Sequence, residues 1–481
     1  MAAEIIQITE SNKQIQHMKH VFAEQKAAFR KNPMPSLQER TANLKKLRKM
    51  LMSNQDSIIN TISNDFSNRS ADETKLAEIM TTIHSIDYSL KNLKSWMAKD
   101  KKKISPLFQP ATGFVQYQPL GIIGIISPWN YTVALSMGPL VAALAAGNRA
   151  MIKMSEFTPA TSSLIEQLIN ETFPQDLVCV INGDASVATE FSSTPWNHLI
   201  FTGSTAVGRH VMRAAAANLT PVTLELGGKS PTILSDDTNM DEAVQSIVFG
   251  KAFNAGQTCV APDYILCPSN RVEHFIDRFQ HYFSEMYPTL KHNGDFTSIV
   301  DNRQYARLQS YLDDAREKGA TIIECNHADE DMQNGTRKMP IHIVLNASDD
   351  MLVMQEELFG PILPIIPINS LDEGLEYIND RPSPLALYYF GSNKKEQDYV
   401  LDQVRAGGVC INDTISHFAQ DDLHFGGIGE SGMGSYHGEQ GFLTFSHAKS
   451  VFCKNHFNST KFAYPPFGTL IHKALFSMFL R

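Results

Sequence analysis

The sequence predicts an α/β fold with parallel sheets, on the strength of two alternating stretches and the long helices that precede them. Between Gly121 and about Pro231, short β-rich runs alternate with helical ones. Such alternation is the mark of βαβ units whose helices cover both faces of a parallel sheet. Residues 231–410 repeat the alternation. The 481 residues leave room for about two to four structural units at roughly 100–200 residues each.

In chain order, residues 36–63 and 72–97 read as amphipathic helices. Ser36 and Glu39 have the spacing of a capping box, in which each side chain satisfies a free backbone N–H of the first turn. Leu44, Leu47, Leu51, Ile58, Ile59 and Ile62 largely keep a helical repeat. The basic run Lys99 to Lys103, with Asp100 inside it, reads as a solvated linker. Then come a strand in GIIGIIS, a helix ending at Gly147, a strand in RAMIK, and a helix with Thr158 as N-cap and Pro159 at its first position. VCVI, a short helix, HLIF, another helix and VTLEL complete the first alternating segment. In the second, helices are expected near 241–255, 271–286 and 301–318, and the polar strip 326–338 reads as a surface loop. Region 411–450 is rich in Gly and short on periodicity. In the final stretch Leu470, Ile471, Ala474, Leu475, Met478 and Phe479 fall at helical spacing. That helix is too short to span a bilayer. It is expected to dock on its own protein, with a lipid surface as the alternative.

Composition narrows the function class. Hydrophobic residues make up 43% and charged residues 19%, an ordinary globular balance. The net charge of −9 disfavours a broad nucleic-acid surface, which needs concentrated Lys and Arg. Six cysteines without a CxxC pair make neither a disulfide scaffold nor a dedicated zinc site, and no metal is expected. Met1 to Lys13 lacks the apolar core of a signal peptide, and the longest apolar candidate, Ala134 to Gly147, is interrupted by Ser136, Gly138 and Pro139. A reducing, cytoplasmic setting is the default expectation.

Two phosphate-loop patterns fail on inspection. Gly427, Gly429 and Gly432 spell GxGxxG, but no long apolar strand precedes them and no clear helix follows. Gly203 to Gly208 resembles a Walker A loop, yet Arg209 and His210 stand where Lys and Ser or Thr are required. The location still matters, because HLIF supplies a strand and Ser204 starts a helix whose free N–H groups suit an anionic ligand. A dinucleotide site and an ordinary Gly turn both fit that segment taken alone.

Three residues carry potential chemistry. Cys259 in FNAGQTCVAPDY differs from the buried Cys179 of VCVI, because Gly256 permits close backbone approach and polar Gln257 and Thr258 flank it. Glu225 interrupts an apolar strand just before Gly227 and Gly228, where a buried carboxylate is costly unless paired or functional. Asn130 in ISPWNYT reads locally as the cap of the following helix.

Together these segments resemble the aldehyde dehydrogenases. The likeness rests on LELGGKSP with GQTC downstream, PWNY, FTGS, EELFGP at 356–361 and FGGIGESGMG at 425–434, in the family's order, across about Ser36 to Phe452. YHG at 436–438, FSH at 445–447 and VAPDY resemble the class 3 branch, and AQDD at 419–422 resembles the bacterial coniferyl-aldehyde dehydrogenases.

The resemblance implies an NAD(P)-dependent oxidation of an aldehyde to the carboxylic acid. Cys259 would attack as thiolate, and the Asn130 amide and the Cys259 N–H would hold the oxyanion. Glu225 would activate the water that hydrolyses the thioester. For the cofactor, Lys153 and Glu156 match the ribose-binding pair, Gly203 and Ser204 the pyrophosphate turn, and Glu357 and Phe359 the nicotinamide site. Trp129 would sit beside the cleft or simply in the core. Glu156 would repel a 2′-phosphate, so NAD is the expected cofactor, with NADP also tolerated. Met154 and His424 stand where the family usually has Pro.

The implied architecture is a Rossmann-like cofactor domain (1–97 and 121–226), an α/β catalytic domain (227–410), a small β-stranded oligomerisation arm (98–120 and 411–450) and a tail (451–481). A homodimer is expected, and the substrate tunnel should involve Ile415, His417 and Phe418. Aromatic aldehydes such as coniferyl aldehyde are the favoured substrates, and medium or long aliphatic aldehydes come second. A CoA-acylating dehydrogenase and a non-catalytic binding protein on the same fold are the rival readings. Glu225, a hydrolytic base, argues against the first.

Overall fold

The capping box at Ser36 opens the helix Leu37–Ser53: Ser36 Oγ accepts from the Glu39 N–H at 3.3 Å, and Glu39 accepts from the Ser36 N–H at 2.7 Å. The computed structural model describes residues 2–332, 335–457 and 459–480, with the backbone alone for 2–9. The helix expected over 36–63 is two helices, because Asn54 leaves helical geometry and turns its amide back onto the Met50 carbonyl. Gln55–Phe66 continues beyond it and ends at Ser67, whose φ is 66°. The helix expected over 72–97 runs through Ala71–Thr74, a π-helical turn at Lys75–Met80, and Thr81–Trp96.

Ahead of these lies a helix that the sequence reading did not anticipate, Ala2–Lys31. It offers little apolar periodicity and anchors through a few residues. Met18 and Val21 are buried, and Gln25 donates to the carbonyls of Ala150 and Gln175.

Every strand expected in the first alternating segment forms. In spatial order the six-stranded sheet is Gly432–Met433, Val222–Glu225, His198–Thr202, Ile122–Ile126, Arg149–Lys153 and Val178–Ile181. All neighbours pair parallel except Gly432–Met433. A seven-stranded sheet carries the second segment, in the order Thr321–Cys325, Ile341–Leu345, Ile362–Ile368, Tyr264–Pro268, Pro231–Leu234, Ala386–Phe390 and Gly408–Ile411. Its helices Met240–Ala252, Val272–Met286 and Asn302–Glu317 match the expected spans. A three-stranded sheet of Asp100–Lys102, Thr112–Pro119 and Ser446–Cys453 stands apart.

Several local expectations are corrected. Thr158 starts the helix Pro159–Thr172 but makes no side-chain cap; Asp65 caps it instead, accepting from the N–H groups of Ala160 and Thr161. Lys101 and Lys102 of the basic run form strand pairs with Phe114 and Gly113. The C-terminal helix Leu470–Phe479 does not dock on the body: Leu470 is 84% exposed and Met478 72%, and His472 is its one buried residue. Pro465, Pro466 and Gly468 precede it, so the chain leading to it is not helical. Gln333 and Asn334 of the expected surface loop and Arg481 of the tail lie outside the described residues. Among the described residues, no helix is long and apolar enough to cross a membrane.

Candidate active site

The loop carrying Cys259 is held in a costly shape. After the helix Met240–Ala252, Asn254 and Ala255 both adopt φ of 52° and Gly256 follows at 72°. Left-handed geometry costs non-glycine residues about 1–3 kcal/mol each, so the surroundings must impose it. At Gly256 a side chain is excluded outright, since a Cβ there would lie 2.5 Å from the Gly360 carbonyl. Gln257 is clamped on both sides, donating to the carbonyls of Asn254 and Ser298 and accepting from the Val300 N–H. The Thr258 hydroxyl lies 2.7 Å from the Tyr131 hydroxyl.

Cys259 is half-buried, and all six cysteines are free. Burial, with Glu357 and Glu225 nearby, pushes its thiol up to about 12, although its own N–H and that of Val260 favour the thiolate. Glu225 ends its strand fully enclosed, and neither carboxylate oxygen has a hydrogen-bond partner. Burial raises its carboxyl well above the usual range.

Asn130 is not a helix cap. The helix Ala134–Ala146 is capped by Glu78, which accepts from the N–H groups of Val133 and Ala134. The Asn130 side chain instead donates to the Gln257 carbonyl at 3.1 Å.

Cys259 lies where two cavities meet. One is a mixed polar cleft lined by Trp129, Asn130, Gly203, Ser204, Glu225, Glu357 and Phe359. The other is largely apolar, lined by Tyr131, Phe249, Phe253, Ile415 and Phe418, with Thr258 and Ser416 among its few hydroxyls. His417 does not line it: it turns away to the Cys410 sulfur, 3.0 Å from Nδ1.

The polar cleft fits a dinucleotide. Ser204 caps the helix Thr205–Ala216, presenting free N–H groups to an anion. Glu357 Oε1 is buried without a partner, an acceptor held ready for a hydroxyl. The Glu357 carboxyl is pushed up to about 8 by burial and by Asp263. Trp129 meets the Phe359 ring edge-on at 5.3 Å and also packs on Phe66, so it serves both cleft and core. Lys153 and Glu156 lie outside the residues lining the cleft; they pair at 3.4 Å, with Lys153 buried and Glu156 partly exposed.

Sequence reasoning missed the supports. Lys229 reaches Asp263 and the carbonyls of Val353 and Glu356, and Asp263 accepts from the Leu358 N–H. Arg307 donates to the Leu358 carbonyl at 2.9 Å. Lys229 stands inside the LELGGKSP segment, so a signal was present for it. Arg307 sits in an ordinary helix and gives none.

A half-buried thiol, a buried carboxyl and a cleft that fits a dinucleotide, set on mainly parallel sheets, match the class of cofactor-dependent dehydrogenases. The chain belongs to the aldehyde dehydrogenase family, whose model matches residues 2–451. It is 52% identical over 481 residues to the probable coniferyl aldehyde dehydrogenase of Pseudomonas aeruginosa, covering 100% of both chains. It is 40% identical over 442 residues to aldehyde dehydrogenase family 3 member A2 of Mus musculus, covering 91% of this chain and 89% of that one. Among solved structures it matches the substrate-bound state of Staphylococcus aureus AldH with a TM-score of 0.91 and 36% identity, over 96% of this chain and 99% of the other. A Mycobacterium tuberculosis aldehyde dehydrogenase complexed with NAD+ matches with a TM-score of 0.80 and 27% identity, over 89% and 88%. The activity is NAD(P)-dependent aldehyde oxidation.

Proposed function

We propose that the enzyme oxidises aromatic aldehydes such as coniferyl aldehyde to the free acid, with Cys259 as nucleophile. The observation that carries this reading is the meeting of the polar cleft and the aromatic-lined tunnel at Cys259. Rings of Tyr131, Phe249, Phe253 and Phe418 offer flat apolar surfaces to a conjugated substrate.

Cys259 Sγ attacks the carbonyl carbon, and the carbonyl π pair moves to oxygen. Asn130 Nδ2 and the Cys259 N–H donate to that oxygen. The thiol proton passes to solvent as the S–C bond forms. The cofactor, when bound, would supply the acceptor for the hydride lost from the tetrahedral carbon as the thioester forms. Glu225, made more basic by burial, then draws a proton from water; the water oxygen attacks the thioester, the C–S bond breaks to return the Cys259 thiolate, and the acid departs. Gly203, Ser204, Glu357 and Phe359 would hold the cofactor, with Lys153 and Glu156 at its ribose. Glu156 favours NAD over a 2′-phosphorylated cofactor.

A homodimer accompanies this reading. Ser446–Cys453 is an exposed edge of the three-stranded sheet, and open edges invite pairing with a second copy.

Comparing kcat/KM for coniferyl aldehyde, benzaldehyde and a hexanal-to-dodecanal series, with and without CoA, tests the proposal. Preference for coniferyl aldehyde, with NADH formed without CoA, supports it. Preference for the long alkyl aldehydes overturns the substrate class. An absolute need for CoA overturns the hydrolytic step.

A further inference from the structure

Three charged residues lie buried beneath the catalytic loops, and the chemistry above uses none of them. Arg69, Glu73 and Glu78 are 2%, 7% and 0% exposed. Arg69 Nη1 pairs with Glu78 at 2.7 Å and also donates to the backbone carbonyl of Asn130 at 3.1 Å. The guanidinium lies over the Tyr131 ring, 4.8 Å from its centroid. Glu78 Oε2 accepts from the Val133 and Ala134 N–H groups at 2.6 and 3.2 Å. Glu73 accepts from the Asn254 N–H and from the Thr297 hydroxyl. Asn254 in turn donates to the carbonyls of Asn130 and Gln257, each at 3.1 Å.

The helix is deformed in a way that brings these groups together. In a regular α-helix, residues 73 and 78 would stand about 140° apart around the axis. The π turn at Lys75–Met80 widens the repeat toward five residues and brings both glutamates to one side. One then reaches the loop ahead of Cys259 and the other the turn after Asn130. Burying three charges in place of apolar side chains is a poor route to stability. The hydrogen-bond partners of these three side chains, apart from one another and Thr297, are backbone groups of the two segments that meet at the thiol.

We propose that Arg69, supported by Glu73 and Glu78, is a positioning residue of the oxyanion site. It fixes the backbone at Asn130, so that the side-chain amide meets the oxygen that develops on the Cys259 adduct. The inference rests on the oxyanion role given to Asn130 above.

A cofactor-free reaction isolates the step. p-Nitrophenyl acetate acylates the thiol and releases p-nitrophenolate, and the tetrahedral oxygen uses the same donors. The burst rate is measured for the wild type, Asn130→Ala, Arg69→Lys and the double variant, each checked by thermal melting. Asn130→Ala should slow the burst about 100-fold. Arg69→Lys, which keeps the charge on a shorter side chain and withdraws the donor that Nη1 places between Glu78 and the Asn130 carbonyl, should slow it roughly tenfold alone. In the Asn130→Ala background it should change the rate less than about twofold, as expected of groups acting as a unit. Equal losses in both backgrounds, or no loss, would overturn the proposal and leave the Asn130 reading standing. A wild-type burst in Asn130→Ala would remove that reading and the inference with it. Should Arg69→Lys fail to fold, the isosteric Glu73→Gln must show the same background dependence, and equal losses there overturn the proposal.

Discussion

The side-chain amide of Asn130 donates to the backbone carbonyl of Gln257 at 3.1 Å, two residues ahead of Cys259. One amide hydrogen is thereby engaged with the nucleophile's own loop, and the other is free for an oxyanion. Asn130→Asp replaces that donor with an acceptor facing both the Gln257 carbonyl and the developing charge. We expect kcat to fall by about 10²–10³ or more, with little change in NAD affinity. A large rise in the NAD dissociation constant with kcat preserved would contradict this.

Cys259 should gain reactivity with pH. With its thiol pushed up to about 12, the thiolate fraction rises roughly tenfold per pH unit through the neutral and mildly alkaline range. Alkylation of the free enzyme by iodoacetamide is expected to accelerate accordingly. A plateau near neutrality would show that the thiol is already ionised.

Glu225 should cost stability in a pH-dependent way. Burial raises its folded pKa above the unfolded value, so the folded state binds the proton more tightly. Its favourable contribution is complete below the ordinary carboxylate range and is lost as pH rises toward the folded pKa. Glu225→Gln removes this dependence. We expect its Tm to exceed that of the wild type at about pH 8 and the gap to narrow toward about pH 5. A gap that stays constant or reverses would mean the carboxylate is well solvated or paired.

Phe253 lies between Phe249, at 5.1 Å, and the stacked Tyr131 ring, at 6.5 Å, on the tunnel wall. Phe253→Leu keeps an apolar wall and removes the flat surface. It should lower kcat/KM for coniferyl aldehyde roughly tenfold, ~1.4 kcal/mol, and leave dodecanal within about twofold. Equal losses for both substrates would assign Phe253 to packing alone.

The parallel sheets were legible because their strands are short apolar runs between turn residues, as in GIIGIIS and VCVI. Asn130 was legible only through its motif; local chemistry pointed to a helix cap that Glu78, distant in sequence, supplies instead. The π turn at Lys75–Met80 left no trace in periodicity, since residues 72–97 scan as one amphipathic helix. Arg69 and Glu73 look like ordinary charged residues of a helix start, and only tertiary packing buries them. The long first helix was missed because polar residues dominate it, and it is held at a few points rather than along an apolar stripe. The C-terminal helix had the right spacing, but amphipathic spacing alone does not say what, if anything, covers the apolar face.

The most direct test of cysteine-based oxidation is a single-turnover reaction of Glu225→Gln with NAD and coniferyl aldehyde, followed by mass spectrometry. We expect a burst of about one NADH per active site, then a stall, with the acyl mass retained on the peptide containing Cys259. Unmodified Cys259, or steady turnover at the wild-type rate, would contradict the assignment of nucleophile and base.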